Sequence, residues 1–175
     1  QVYLHKTVLC AEQMLKRIIK RAKQIKAATQ QPLHNFITQP IQTITLQEFC
    51  SLDDYDVMAA IKGWCNHEDK ILSFLCNGII NRHLLKVQYF GVPVNQKLVK
   101  EKITEAAARL NISEADAGWL VFTGEVTSNT YNASEEHIQI LFKDGTVKDI
   151  SEVDNALINE NLMGKVKKYY ICYLR

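Results

Sequence analysis

At 175 residues the chain has the length of one domain or two small ones, and 47% hydrophobic against 23% charged residues is the balance of an ordinary globular protein. Seven Gly and three Pro exclude collagen-like and linker-rich architectures. The net charge of +2 hides an asymmetry, because residues 1–52 carry seven Lys/Arg against two Asp/Glu while residues 53–175 carry fourteen against seventeen.

In chain order, Leu4, Val8, Ala11, Leu15, Ile18, Ala22 and Ile25 recur at steps of four and three, which predicts one long amphipathic helix running to about Ala28. Lys6, Lys16, Arg17, Lys20, Arg21, Lys23 and Lys26 are expected on its opposite, solvated face. Residues 30–43, Gln-rich and containing Pro32 and Pro40, read as a connecting loop. Asp53, Asp54 and Asp56 open a second helix with Val57, Met58, Ile61 and Trp64 on its apolar side, and Asn66-His67-Glu68-Asp69 caps a third built on Ile71, Leu72, Leu75, Ile79 and Ile80.

The period changes at Arg82. Residues 84–90 alternate as a strand closed by Gly91 and Pro93, and Asn95 caps a helix carrying Leu98, Val99, Ile103, Ala106, Ala107 and Leu110. Ser113-x-x-Asp116 begins a short helix ending near Gly118, and residues 119–127 and 137–142 are β-rich. Asp144-Gly145 marks a hairpin into residues 147–150, Ser151-x-x-Asp154 suggests one more short helix, and residues 166–174 form a Tyr-rich strand. Helices come first and a small, mainly antiparallel sheet follows, so the expected fold class is α+β: a helical part over residues 1–81 and an α+β part over 82–175.

The chemistry legible in local motifs is sparse. The five His are scattered, with no HxxxH or His-Asp pair, and the five Cys form no CxxC and are odd in number, so neither a metal site within this chain nor a disulfide framework is expected. No apolar run approaches the ~20 residues of a membrane span, and the N-terminus lacks a signal-peptide pattern, which leads to the expectation of a soluble cytoplasmic protein. There is no GxxxxGK[ST] and no GxGxxG, so a phosphate site must use side chains. The chain opens on Gln1 inside a helical pattern and is expected to be part of a longer protein.

Three stretches together carry a resemblance. Val2-Tyr3-Leu4-His5-Lys6 before a long helix, Leu52-Asp53-Asp54-Tyr55-Asp56 with two helices ending at Arg82-His83-Leu84-Leu85-Lys86, and a sheet region closing on Lys168-Tyr169-Tyr170-Ile171-Cys172-Tyr173 resemble the C-terminal half of HD-domain phosphohydrolases. The nearest likeness is to the deoxynucleoside triphosphate triphosphohydrolases, in the bacterial branch similar to the vertebrate enzyme with a sterile alpha motif. The resemblance implies a parent that cleaves a dNTP into deoxynucleoside and triphosphate, a divalent metal held by His and Asp residues upstream of this chain, a homo-oligomer, and no catalytic or metal residue here. It further implies that Tyr3 forms a wall of the substrate pocket, and that His5, Lys6, Arg82, Leu84 and Lys86 face a regulatory nucleotide. Position 4 is Leu where the family pattern has Gln. The other readings are a non-catalytic binding or assembly module and, as the less favoured one, a nucleic-acid-binding module using the basic helix.

Overall fold

The computed structural model describes residues 5–128, 138–149 and 166–175. Its order is α1 (Lys6–Ile25), α2 (Leu33–Thr38), a 3-10 turn (Ile41–Thr43), α3 (Leu46–Ser51), α4 (Asp54–Trp64), α5 (Lys70–Ile80), β1 (Lys86–Phe90), α6 (Gln96–Leu110), α7 (Glu114–Ala117), β2 (Phe122–Ser128), β3 (Gln139–Leu141), β4 (Val147–Asp149) and β5 (Val166–Tyr173). The fold class is therefore α+β, with α1 to α5 ahead of two small antiparallel sheets and α6 and α7 between strands β1 and β2. The short helix expected around residues 151–154 lies outside the described residues.

Local chemistry places most of the boundaries. Asp53 caps α4 by accepting the Tyr55 and Asp56 amides, and the Asp56 side chain returns the bond to the Asp53 amide, so the acidic triplet is a capping box at the positive end of the helix dipole. Asp69 caps α5 through the Leu72 amide, Asn95 caps α6 and Ser113 caps α7. Asp144-Gly145 turns β3 into β4, with Gly145 at φ +83.

Two helices were not expected from sequence. Residues 33–38 are helical despite Pro32, because a proline ahead of the first turn costs no hydrogen bond. Residues 46–51 form α3 through a Thr45–Glu48 capping box, although none of its residues is buried. Both are too short to show a helical period.

The main sheet runs β1-β5-β2, with β5 antiparallel to both neighbours: Val87 and Phe122 flank Cys172 from either side. One face, carrying Val87, Phe122, Tyr170 and Cys172, joins the core built by α1, α4 and α5; the other, with Ile171 and Tyr173, packs with Ala106 and Ala107 of α6. A single hydrophobic cluster thus runs from Leu9 to Cys172 across the two expected parts.

The face that α1 buries coincides with the expected stripe at Ile18 and Ala22 and departs from it nearer the N-terminus. Leu9, Cys10, Met14, Ile18 and Ala22 are buried, whereas Val8 is 54% and Leu15 37% exposed. Arg17 and Arg21 are also turned inward rather than solvated. Arg17 lies 4.3 Å from the Phe122 ring centroid and donates to the Gly118 carbonyl at 3.2 Å, and Arg21 Nη2 reaches Asp69 Oδ2 at 2.6 Å and Asp116 Oδ1 at 3.1 Å. A guanidinium covers an aromatic face and satisfies carboxylates with the same planar group, which a hydropathy pattern scores only as polar. The helix ends with Lys26 in the left-handed region, where the Ala27 amide closes onto the Ala22 carbonyl at 2.9 Å.

Candidate functional site

The site is assembled where the start of α1 meets the entry into β1. α5 ends at Ile80, the Arg82 amide donates to the Ile79 carbonyl, and Arg82 takes φ 57, so the chain turns sharply before β1. A non-glycine residue in the left-handed region is strained by about 1–2 kcal/mol. Cys10 Sγ then donates to the Leu85 carbonyl at 3.1 Å, fixing α1 against the segment that leads into the strand. His5 is the N-cap of α1, its Nδ1 accepting the Thr7 amide at 3.3 Å.

Between these elements lies a cavity of about 1120 Å³. It gathers His5, Lys6, Arg82, Leu84 and Lys86, five of the six positions expected from sequence; the sixth, Tyr3, lies outside the described residues. The strand expected over residues 84–90 begins only at Lys86, so Leu84 precedes β1 and Arg82 belongs to the turn. They are brought together by the turn, not by strand alternation.

Four basic residues that sequence reading missed complete the wall. His83 follows Arg82, Arg109 comes from the last turn of α6, and Lys168 and Arg175 come from β5 and beyond. Among the described lining residues there are six Lys/Arg and two His, and no Asp or Glu. The first turn of α1 adds the positive end of a 20-residue helix dipole to the same space. Such a surface attracts a polyanion, for which Arg supplies a planar fork and Lys a point charge.

Tyr89 and Phe74 supply aromatic surface to this wall. Burial, helped by the nearby Cys172, raises the Tyr89 hydroxyl above its ordinary value, so near neutral pH it is an uncharged phenol. Beneath the cavity, the paired thiols diverge: hydrogen bonding with Cys172 lowers Cys10, and the same bond together with burial raises Cys172. A smaller cavity of about 440 Å³, lined by Gln30, Gln31, Asp56, Trp64 and His67 among others, has no Lys or Arg in its described wall.

The described residues hold no group of three or more His, Cys, Asp or Glu that could bind a metal ion. His67-Glu68-Asp69, the nearest such sequence, is occupied otherwise: His67 Nδ1 accepts the Asp69 amide and the Asp69 carboxylate holds Arg21 and the Leu72 amide. No described helix is long and apolar enough to cross a membrane.

Comparison with known proteins adds a second line. No family model matches the chain. The Bacillus subtilis protein YwfO, itself uncharacterized, is 28% identical over 173 residues, which is 94% of this chain and 39% of that protein. Among solved structures, a phosphohydrolase from Bacteroides thetaiotaomicron is 36% identical and superposes with a TM-score of 0.87, covering 99% of this chain and 46% of that one. The chain spans less than half the length of each of these relatives.

Proposed function

We propose that this chain is the C-terminal region of an HD-type phosphohydrolase, and that its basic cavity binds the polyphosphate of a nucleotide that regulates or accompanies catalysis. The observation that carries this reading is the cavity itself: eight basic side chains from the cap and start of α1, the α5–β1 turn, β1, α6, β5 and the residues after it converge with no Asp or Glu among the described lining residues. Similarity along the chain's length to a protein described as a phosphohydrolase supports the same class of reaction.

Within this reading, His5, Lys6, Arg82 and Lys86 hold phosphate oxygens, Leu84 packs against the sugar or base, and Tyr3 contributes a wall of the neighbouring substrate pocket. The metal and the atoms that break the phosphate ester belong to a catalytic domain that precedes Gln1 in the same protein, so no catalytic step is assigned to residues of this chain. The half-exposed Val8 and Leu15 on the outer side of α1 offer that domain an apolar surface, and assembly as a homo-oligomer in the cytoplasm completes the proposal. The dNTP is the preferred substrate class, with release of inorganic triphosphate.

The test is triphosphate release by the full-length protein with a divalent metal, for each dNTP in turn, with and without added GTP. Metal-dependent release that is lowered by Arg82→Gln and Lys86→Gln is the expected result. Absence of release from every dNTP under both conditions rejects the triphosphohydrolase assignment. Release that is indifferent to both substitutions rejects the role of the cavity.

A further inference from the structure

Lys6 and Lys168 lie at opposite ends of the sequence, yet each ammonium sits 5.9 Å from the centroid of the same Tyr89 ring. Two cations drawn to one quadrupole are no more than about 12 Å apart and repel one another in a wall that offers no Asp or Glu among its described lining residues. Register explains the convergence. Phe90 pairs with Tyr169 and Tyr89 with Tyr170, so Lys168 falls just past the end of the paired segment on the face that Tyr170 and Cys172 share with α1, while Lys6 begins α1 above it.

We propose that Tyr89, Lys6 and Lys168 form an anion subsite, in which the ring positions both ammonium groups to take one terminal phosphate of a polyphosphate chain. This rests on the reading of the cavity as a polyphosphate site and goes beyond it, since neither Tyr89 nor Lys168 belongs to the set that the sequence suggests. Tyr89 is a positioning residue: its π face pre-orders two flexible side chains, so less entropy is lost when the anion arrives. An anion between the two ammonium groups replaces their repulsion with two charge-assisted hydrogen bonds.

The experiment is calorimetric titration of the whole protein with sodium tripolyphosphate, which carries the charge but no sugar or base. Lys168→Ala is expected to weaken binding about tenfold, the low end for a hydrogen bond to a charged group. Tyr89→Leu removes the π face that holds the two ammonium groups and is expected to weaken binding severalfold. Lys168 is exposed, so its variant tests the subsite without disturbing the core. Wild-type binding that is unchanged in both Lys168→Ala and Tyr89→Leu overturns the subsite and leaves the cavity reading standing. Failure of the wild type to bind tripolyphosphate overturns both.

Discussion

Arg21 on α1 and Asp69 at the N-cap of α5 form a doubly hydrogen-bonded pair, with Nη2 2.6 Å and Nε 3.2 Å from Asp69 Oδ2. The same guanidinium reaches Asp116 in α7, so one side chain ties together three segments distant in sequence. Burial raises the Asp69 carboxyl, but the Arg21 hydrogen bonds, the Leu72 amide and the nearby positive charge outweigh it and hold the group below its ordinary range. A carboxyl depressed on folding stabilises the protein above its unfolded value near 4 and loses that contribution as pH falls through the lower folded value. Asp69→Asn is therefore expected to cost about 1.5–3 kcal/mol at pH 7, and urea midpoints of variant and wild type should draw together as pH drops below about 4.

Helices α1 and α5 cross at Gly78. A Cβ placed there would lie 2.7 Å from Met14 Cε and 3.1 Å from the His83 carbonyl oxygen. The methionine tip can move, but the backbone oxygen belongs to the turn that carries Arg82. Gly78→Ala is expected to lower stability by about 1–3 kcal/mol in denaturant unfolding. Polyphosphate binding should weaken with it, because the displaced segment is the cavity wall.

Arg82 sets stability against binding. Its φ of 57 favours glycine, while its guanidinium lines the cavity. Arg82→Gly is expected to raise stability by roughly 1 kcal/mol and to weaken tripolyphosphate binding. Arg82→Gln should weaken binding without the gain in stability. The two variants together distinguish a residue kept for its charge from one kept for its backbone.

Thiol chemistry offers an independent check on the core. Cys50 is exposed, whereas Cys10, Cys76 and Cys172 are buried. Burial, with the Cys65 sulfur nearby, pushes the Cys76 thiol up to about 12, so it stays protonated at neutral pH. Iodoacetamide at pH 7.5 is expected to label Cys50 rapidly and Cys76 only after denaturation, as read by mass spectrometry of peptides. Fast labelling of Cys76 in the native protein contradicts the described packing of α5.

Much of the fold was legible because its signals are local. Asp53, Asp69, Asn95 and Ser113 announce helix starts through side chains that bond amides two or three residues away, and Asp144-Gly145 needs only its own turn geometry. The face of α1 was only partly legible, since Arg17 and Arg21 are turned inward by Phe122, Trp119, Asp69 and Asp116, none of which is a sequence neighbour. The candidate site divides the same way. Lys6, Arg82 and Lys86 stand in short segments whose likeness could be read directly. Lys168 joins them through the register of β1 on β5, and Arg109 through the docking of α6, and no periodicity encodes either.

The strand order has a consequence for synthesis. β5, the middle strand, is the last of the three to leave the ribosome, so β1 and β2 must wait for residues 166–173 before either can pair. Until then the apolar side chains of Val87 and Phe122 lack their shared neighbour Cys172, and the nascent chain carries two separated, unzipped edges. A non-local closure of this kind makes folding slow relative to the helices that precede it.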